Sequence, residues 1–187
     1  MVLVLPFVIG VLVALPLGGR LRTLATIRLR WLWLAYVALA FQVAAFPGNS
    51  LPWHTPDSVA VALWIASDVL LVAVVARNVR LPGVALVAAG LGSNLLAVVA
   101  NGGHMPALPR ALSGAGLHYK ISMNSERMAH PTLSWLVDRW AAPHWIPLAN
   151  IFSVGDVAIA VGGFVLALAV TGARLPDPRK VLRTSRG

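Results

Sequence analysis

The chain reads as an all-α integral membrane bundle of about five transmembrane helices with a structured outer loop. Three observations predict this. The 187 residues are 58% hydrophobic and only 11% charged, with a mean hydropathy of +0.79; soluble domains carry about 25% charged residues. The apolar residues fall into five runs separated by short turns. One long polar connection, residues 101–150, interrupts the pattern once. A transmembrane domain therefore spans residues 1–172, and a basic cytoplasmic tail spans 173–187.

The net charge is +9. In a soluble protein that balance would suggest nucleic acid. In a chain this apolar the cations flank membrane spans and set their orientation, so no nucleic-acid partner is expected. There is no cysteine, which excludes disulfides and thiolate chemistry. The N-terminus lacks the leading positive charge and small-residue cleavage pattern of a signal peptide.

The first span covers about 2–17 and is short for the ~30 Å hydrocarbon core. Gly18-Gly19 ends it. Arg20 to Arg30 is either a short interfacial helix, with Leu21, Leu24 and Ile27 on one side, or a charged turn. The second span covers about 31–46, with Trp31 and Trp33 placed for an aromatic belt and Gln42 near its outer end. A polar turn containing Trp53 leads to the third span, about 59–76, which carries Asp68 near its middle. Arg77 to Gly83 is a basic turn. The fourth span, about 82–100, has Gly90, Gly92 and Ser93 for close helix approach, and Asn94. In the long loop, Pro131 is expected to open a surface helix with Leu133, Leu136, Val137 and Trp140 on one face. The last span covers about 151–171, with Asp156 in its second turn.

Five spans put alternate connectors on opposite sides. Arg20, Arg22, Arg28, Arg30, Arg77, Arg80 and the tail cations share one side. The positive-inside rule makes that side cytoplasmic, so the N-terminus lies outside the cell membrane and the long loop faces outward. Arg110, Lys120, Arg127 and Arg139 in that loop either meet anionic lipid headgroups or are simply solvated.

Asp68 and Asp156 are the acids expected at membrane depth, where an ionisable group is a functional candidate by default. At 1.5 Å per residue, Asp68 lies roughly 15 Å down, Asn94 roughly 10 Å and Asp156 roughly 8 Å; Gln42 is shallower. If they converge they form an outward-facing pocket under the loop. The competing reading is that each bonds a neighbouring helix, with Asn150 and Ser153 capping the last span and Asp156 a helix-start feature. Asn101-Gly102-Gly103 reads first as a helix stop, with Pro106 preventing continuation; in the functional reading Asn101 and His104 line the pocket mouth. The loop histidines His104, His118, His130 and His144 lack the i, i+4 spacing of a helical metal site, so neither a metal nor another cofactor is expected.

The segments Gly18-Gly19-Arg20-Leu21, Asn101-Gly102-Gly103-His104-Met105-Pro106 and Phe152-Ser153-Val154-Gly155-Asp156 resemble a bacterial family of small polytopic membrane proteins of unknown function. The resemblance implies a membrane protein and no particular activity. More weakly, Asn150 to Ile159 is similar to the last-span motif of lipoprotein signal peptidases, which supplies one of two catalytic aspartates. Gly92-Ser93-Asn94 is similar to part of the other motif, but position 97 is Ala where that family has the second aspartate. Asp68 or Asp138 would have to replace it.

Three functions follow as expectations. The first is binding of a lipid, small ligand or partner at Asp68, Asn94 and Asp156, with Asn101 and His104 at the mouth. The second is an intramembrane aspartyl hydrolase acting on a lipid-linked substrate through Asp68 and Asp156. The third is an ion- or proton-coupled carrier. A protein partner or homo-oligomer is left open. A reporter fused after Arg183 is expected to be cytoplasmic; a periplasmic signal would overturn the orientation.

Overall fold

The computed structural model describes residues 4–46, 54–116, 125–142 and 151–173. The expectations placed on Trp53, His118, Lys120, His144, Asn150 and the basic tail lie outside the described residues.

Each expected apolar run contains a helix: α1 (Val4–Ala14), α3 (Leu32–Ala45), α4 (Asp57–Arg77), α5 (Val84–Ala100) and α7 (Val154–Thr171). The ends follow from local chemistry. Gly18, at φ +81°, lets Gly19 turn its N–H back onto the Ala14 carbonyl at 2.8 Å, closing the last turn of α1. Pro56 and Asp57 open α4, where an acid suits the helix dipole. Gly83 precedes α5 in the left-handed region, and Gly172 ends α7 there. Between α1 and α3 the basic connector forms only one helical turn, α2 (Leu21–Leu24).

Helices α4 and α7 are long and apolar enough to cross a membrane; α1, α3 and α5 are shorter apolar helices. The 21 and 18 residues of α4 and α7 reach about 32 and 27 Å, against a core of about 30 Å. The helices pack as neighbours in the order α1, α7, α5, α4, α3. Apolar side chains remain exposed on all five, among them Leu12, Tyr36, Val69, Leu96 and Val161. Water would oppose so large an apolar surface, whereas lipid accommodates it.

The tightest packing joins α5 to α7, which run antiparallel. Gly83 meets Gly162, and Gly90 meets Gly155. A Cβ on Gly162 would lie 2.6 Å from the Gly83 carbonyl oxygen, and one on Gly155 would collide with the Asn94 carboxamide. Only hydrogen at these positions lets the two backbones touch. Gly10 of α1 packs on the other side, against Phe164 and Ala167.

The long connection is folded into a small lid. Strand β1 (Met105–Ala107) pairs in parallel with β2 (Ser125–Arg127); α6 (Pro109–Gly114) lies between them. Strand β3 (Trp140–Ala141) pairs antiparallel with β4 (Ile151–Phe152), and a bridge from Ala107 to Asp138 joins the two ladders. The surface helix expected from Pro131 is absent. Residues 132–136 form turns, with Leu133 at φ +53°, and the chain then extends. Pairing with β1 and β4 has overridden the local helical pattern. Leu136 and Val137 instead point into a core with Ala97, Val98 and Met105, flanked by Trp64, Ile65, Leu108 and Leu133. The lid is thereby fastened to α4 and α5.

Gly155→Ala is expected to lower stability by about 1–3 kcal/mol through overpacking, roughly 2–4 °C of melting temperature per kcal/mol. Gly92→Ala, where a Cβ meets open space, is expected to be neutral or slightly stabilising. Thermal unfolding of the two variants in detergent checks the contrast.

Candidate functional site

The glycine contacts between α5 and α7 bring Asn94 against the start of α7. Ser153 is the N-cap of that helix and forms a capping box with Asp156: the Asp156 N–H donates to Ser153 Oγ at 3.1 Å, and the Ser153 N–H donates to Asp156 Oδ2 at 2.9 Å. Such a box satisfies two otherwise orphaned backbone donors. Asn94 joins it from the neighbouring helix. Its Nδ2 donates to Asp156 Oδ1 at 3.0 Å, and its Oδ1 lies 2.9 Å from the Ser153 hydroxyl. That hydroxyl also lies 3.0 Å from Asp156 Oδ2, so its single proton serves one acceptor at a time. Ser153 is fully buried, while Asn94 and Asp156 are half-buried.

Asp156 is thus a helix-start feature that also bonds a neighbouring helix through Asn94. Asp68 does not join it. Asp68 sits half-buried on α4, a helix that packs on α3 and α5, and among the described residues no hydrogen bond or ion pair links it to Asn94 or Asp156. Gln42 is also elsewhere. Its Nε2 donates to Ser67 Oγ at 3.3 Å, and that hydroxyl donates to the Trp64 carbonyl at 2.7 Å.

Asp138 of the lid lies near enough to Asp156 to feel its charge. Its backbone is held on both sides: its N–H donates to the Pro106 carbonyl and its carbonyl accepts from the Leu108 N–H, each at 3.0 Å. The next residue, Arg139, donates its N–H to the Phe152 carbonyl at 3.2 Å, which sets this strand beside the start of α7. The Asp138 side chain is buried, with 6% exposure. Burial, and then the charge of nearby Asp156, push its pKa from 3.8 up to about 8. Desolvation and a like charge both favour the neutral acid. The sequence carried a signal for this residue: Asp138 follows Leu136-Val137 and is the sole acid between Glu126 and Asp156.

Asn101 ties the end of α5 to the lid. Its Nδ2 donates to the Ala97 carbonyl at 2.8 Å and the Thr132 carbonyl at 2.9 Å, and its Oδ1 accepts from the Thr132 N–H at 2.8 Å. Gly103, at φ +93°, backs onto Val61 of α4. His104 follows in the same turn, with Nδ1 buried and unpartnered among the described residues. No group of three or more His, Asp or Glu able to hold a metal occurs among the described residues.

Because the folded-state pKa of Asp138 is raised, its contribution to stability is complete below 3.8 and is lost as pH rises through about 8. Asp138→Asn is expected to flatten the decline in stability across that window, measured by thermal unfolding at successive pH values.

No curated protein and no solved structure matches the chain. Residues 26–168 match the model of a protein family, a stretch that holds α3, α4, α5, the lid and most of α7. The chain belongs to DUF5317, a family of unknown function.

Proposed function

We propose that the chain is a five-span membrane protein, N-terminus outside and C-terminus cytoplasmic, that binds a lipid or small ligand at the outer ends of α5 and α7. The observation that carries this reading is that Asp138, buried in the lid, lies near enough to Asp156 to feel its charge, with no cation paired to either among the described residues. Among the described residues neither forms an ion pair, and Arg139 stacks its guanidinium over the Trp140 ring at 5.2 Å. A buried acidic site without a counter-charge favours a ligand that donates hydrogen bonds or brings positive charge. The ligand class is therefore an amphiphile bearing an amine or hydroxyl. Its apolar part would lie along the exposed faces of α5 and α7, where Leu96, Val99, Val157 and Val161 point outward.

A second reading rests on the same pair. One carboxyl group that favours its neutral form beside one that accepts hydrogen bonds from Asn94 and Ser153 resembles the acid and base assignment of a hydrolytic pair. In that reading Asp138 delivers a proton and Asp156 accepts one from water, acting on a lipid-linked substrate.

Matched alkylamines, alcohols and carboxylates separate these ideas. The amine and alcohol are expected to raise the melting temperature by several degrees near saturation, the carboxylate is not, and Asp156→Asn is expected to abolish the shift. An equal shift from the carboxylate, or a shift that survives Asp156→Asn, would sink the binding reading. Turnover of a lipid ester that is lost in both Asp138→Asn and Asp156→Asn would favour the hydrolytic one.

A further inference from the structure

The opposite end of the bundle carries an unbalanced positive surface with an ordered centre. Arg20, Arg22, Arg28, Arg30, Arg77 and Arg80 are all exposed there. The described acids lie elsewhere: Asp57 opens α4 at the far end, Asp68 lies within that helix, and Glu126, Asp138 and Asp156 belong to the lid and the start of α7. None of the six arginines forms an ion pair among the described residues.

Four of these arginines are gathered by one side chain. Asn78, only 7% exposed, donates from Nδ2 to the Arg30 carbonyl at 2.8 Å and to the Val74 carbonyl at 2.7 Å, and accepts from the Arg30 N–H at 2.9 Å. This ties the turn before α3 to the end of α4. Arg28 and Arg30 come from one strand of the clamp, and Arg77 and Arg80 from the other. The clamp also holds Trp31 at φ +61°, a left-handed conformation that a bulky residue rarely adopts. The indole is half exposed, and the Arg77 guanidinium lies over it at 5.7 Å. A cation–π contact of this kind draws the guanidinium toward the ring face.

A fixed turn, an exposed indole and several uncompensated guanidiniums at the end of an apolar bundle fit one occupant. We propose that this clamp is a binding site for the phosphate of an anionic phospholipid. The forked donors of Arg30 and Arg77 engage the phosphate oxygens. Trp31 lies at headgroup level, where an indole is half apolar and half wet. The acyl chains run along the exposed side of α3, where Leu32, Tyr36, Leu39 and Val43 form a continuous outward stripe. Arg28 and Arg80 add attraction that draws in the negative headgroup.

Native mass spectrometry of the full chain in detergent tests this, using phosphatidylglycerol and phosphatidylcholine with identical acyl chains. Phosphatidylglycerol is expected to be retained with about tenfold preference or more, and Arg30→Gln combined with Arg77→Gln and Arg80→Gln is expected to remove that preference. Retention by the unaltered chain is also expected to weaken as salt rises, which tests the site even if the triple variant fails to fold. Equal retention of the two lipids, a preference that survives the triple substitution, or one insensitive to salt would overturn the proposal.

Discussion

The close approach of α5 and α7 is the contact on which the described structure depends. Two glycine pairs, Gly83 with Gly162 and Gly90 with Gly155, remove the side chains that would hold the helices apart. In lipid there is little hydrophobic drive between helices, so such backbone contact and the hydrogen bonds beside it carry the association. The same contact sets the register. Once Gly155 lies beside Gly90, Asn94 is the residue one turn further along α5, and it faces the capping box at the start of α7.

That register explains why a common local device becomes a long-range one. A Ser–Asp capping box normally satisfies only its own helix. Here Asn94 bonds both members, so the start of α7 cannot shift along α5 without losing the Asn94 bonds. The lid depends on the same site. Strand β4 leads directly into Ser153, β3 pairs with β4, and Asp138, the bridge residue just before β3, lies near enough to Asp156 to feel its charge. Asn101 anchors the other side of the lid to the end of α5. The polar atoms at the lid end of the bundle therefore form two fixed points, beside the apolar cluster of Leu136 and Val137.

The helices were legible in the sequence because their signals are local. Five apolar runs, the first ended by Gly18-Gly19 and the fourth preceded by the turn at Arg77 to Gly83, place five helices within a few residues of their observed ends, although among the described residues only two have the length to cross a membrane. Ser153 and Asp156 were legible as a cap for the same reason. The partners were not. Depth along a helix puts Asp68, Asn94 and Asp156 at comparable levels but does not say which faces meet; α4 sits on the far side of α5 from α7, so Asp68 stays apart. Gly155 read as part of a short motif because its constraint comes from Gly90 and Asn94, far away in the chain. The lid misled for a related reason: the pattern after Pro131 has a helical period, yet residues 132–136 form turns, and Asp138, Trp140 and Ala141 pair with segments about 30 residues before or 10 after them.

A double-mutant cycle between Asn94→Ala and Asp156→Ala tests most directly whether this register carries the polar site beneath the lid. Unfolding free energies of the four proteins would be measured in the same detergent. A coupling energy of about 1 kcal/mol or more is the expected result, as for residues within one hydrogen-bonded network. Effects that add to within about 0.3–0.5 kcal/mol would mean the two residues act independently, and the account of α5, α7 and the lid as one polar assembly would be wrong.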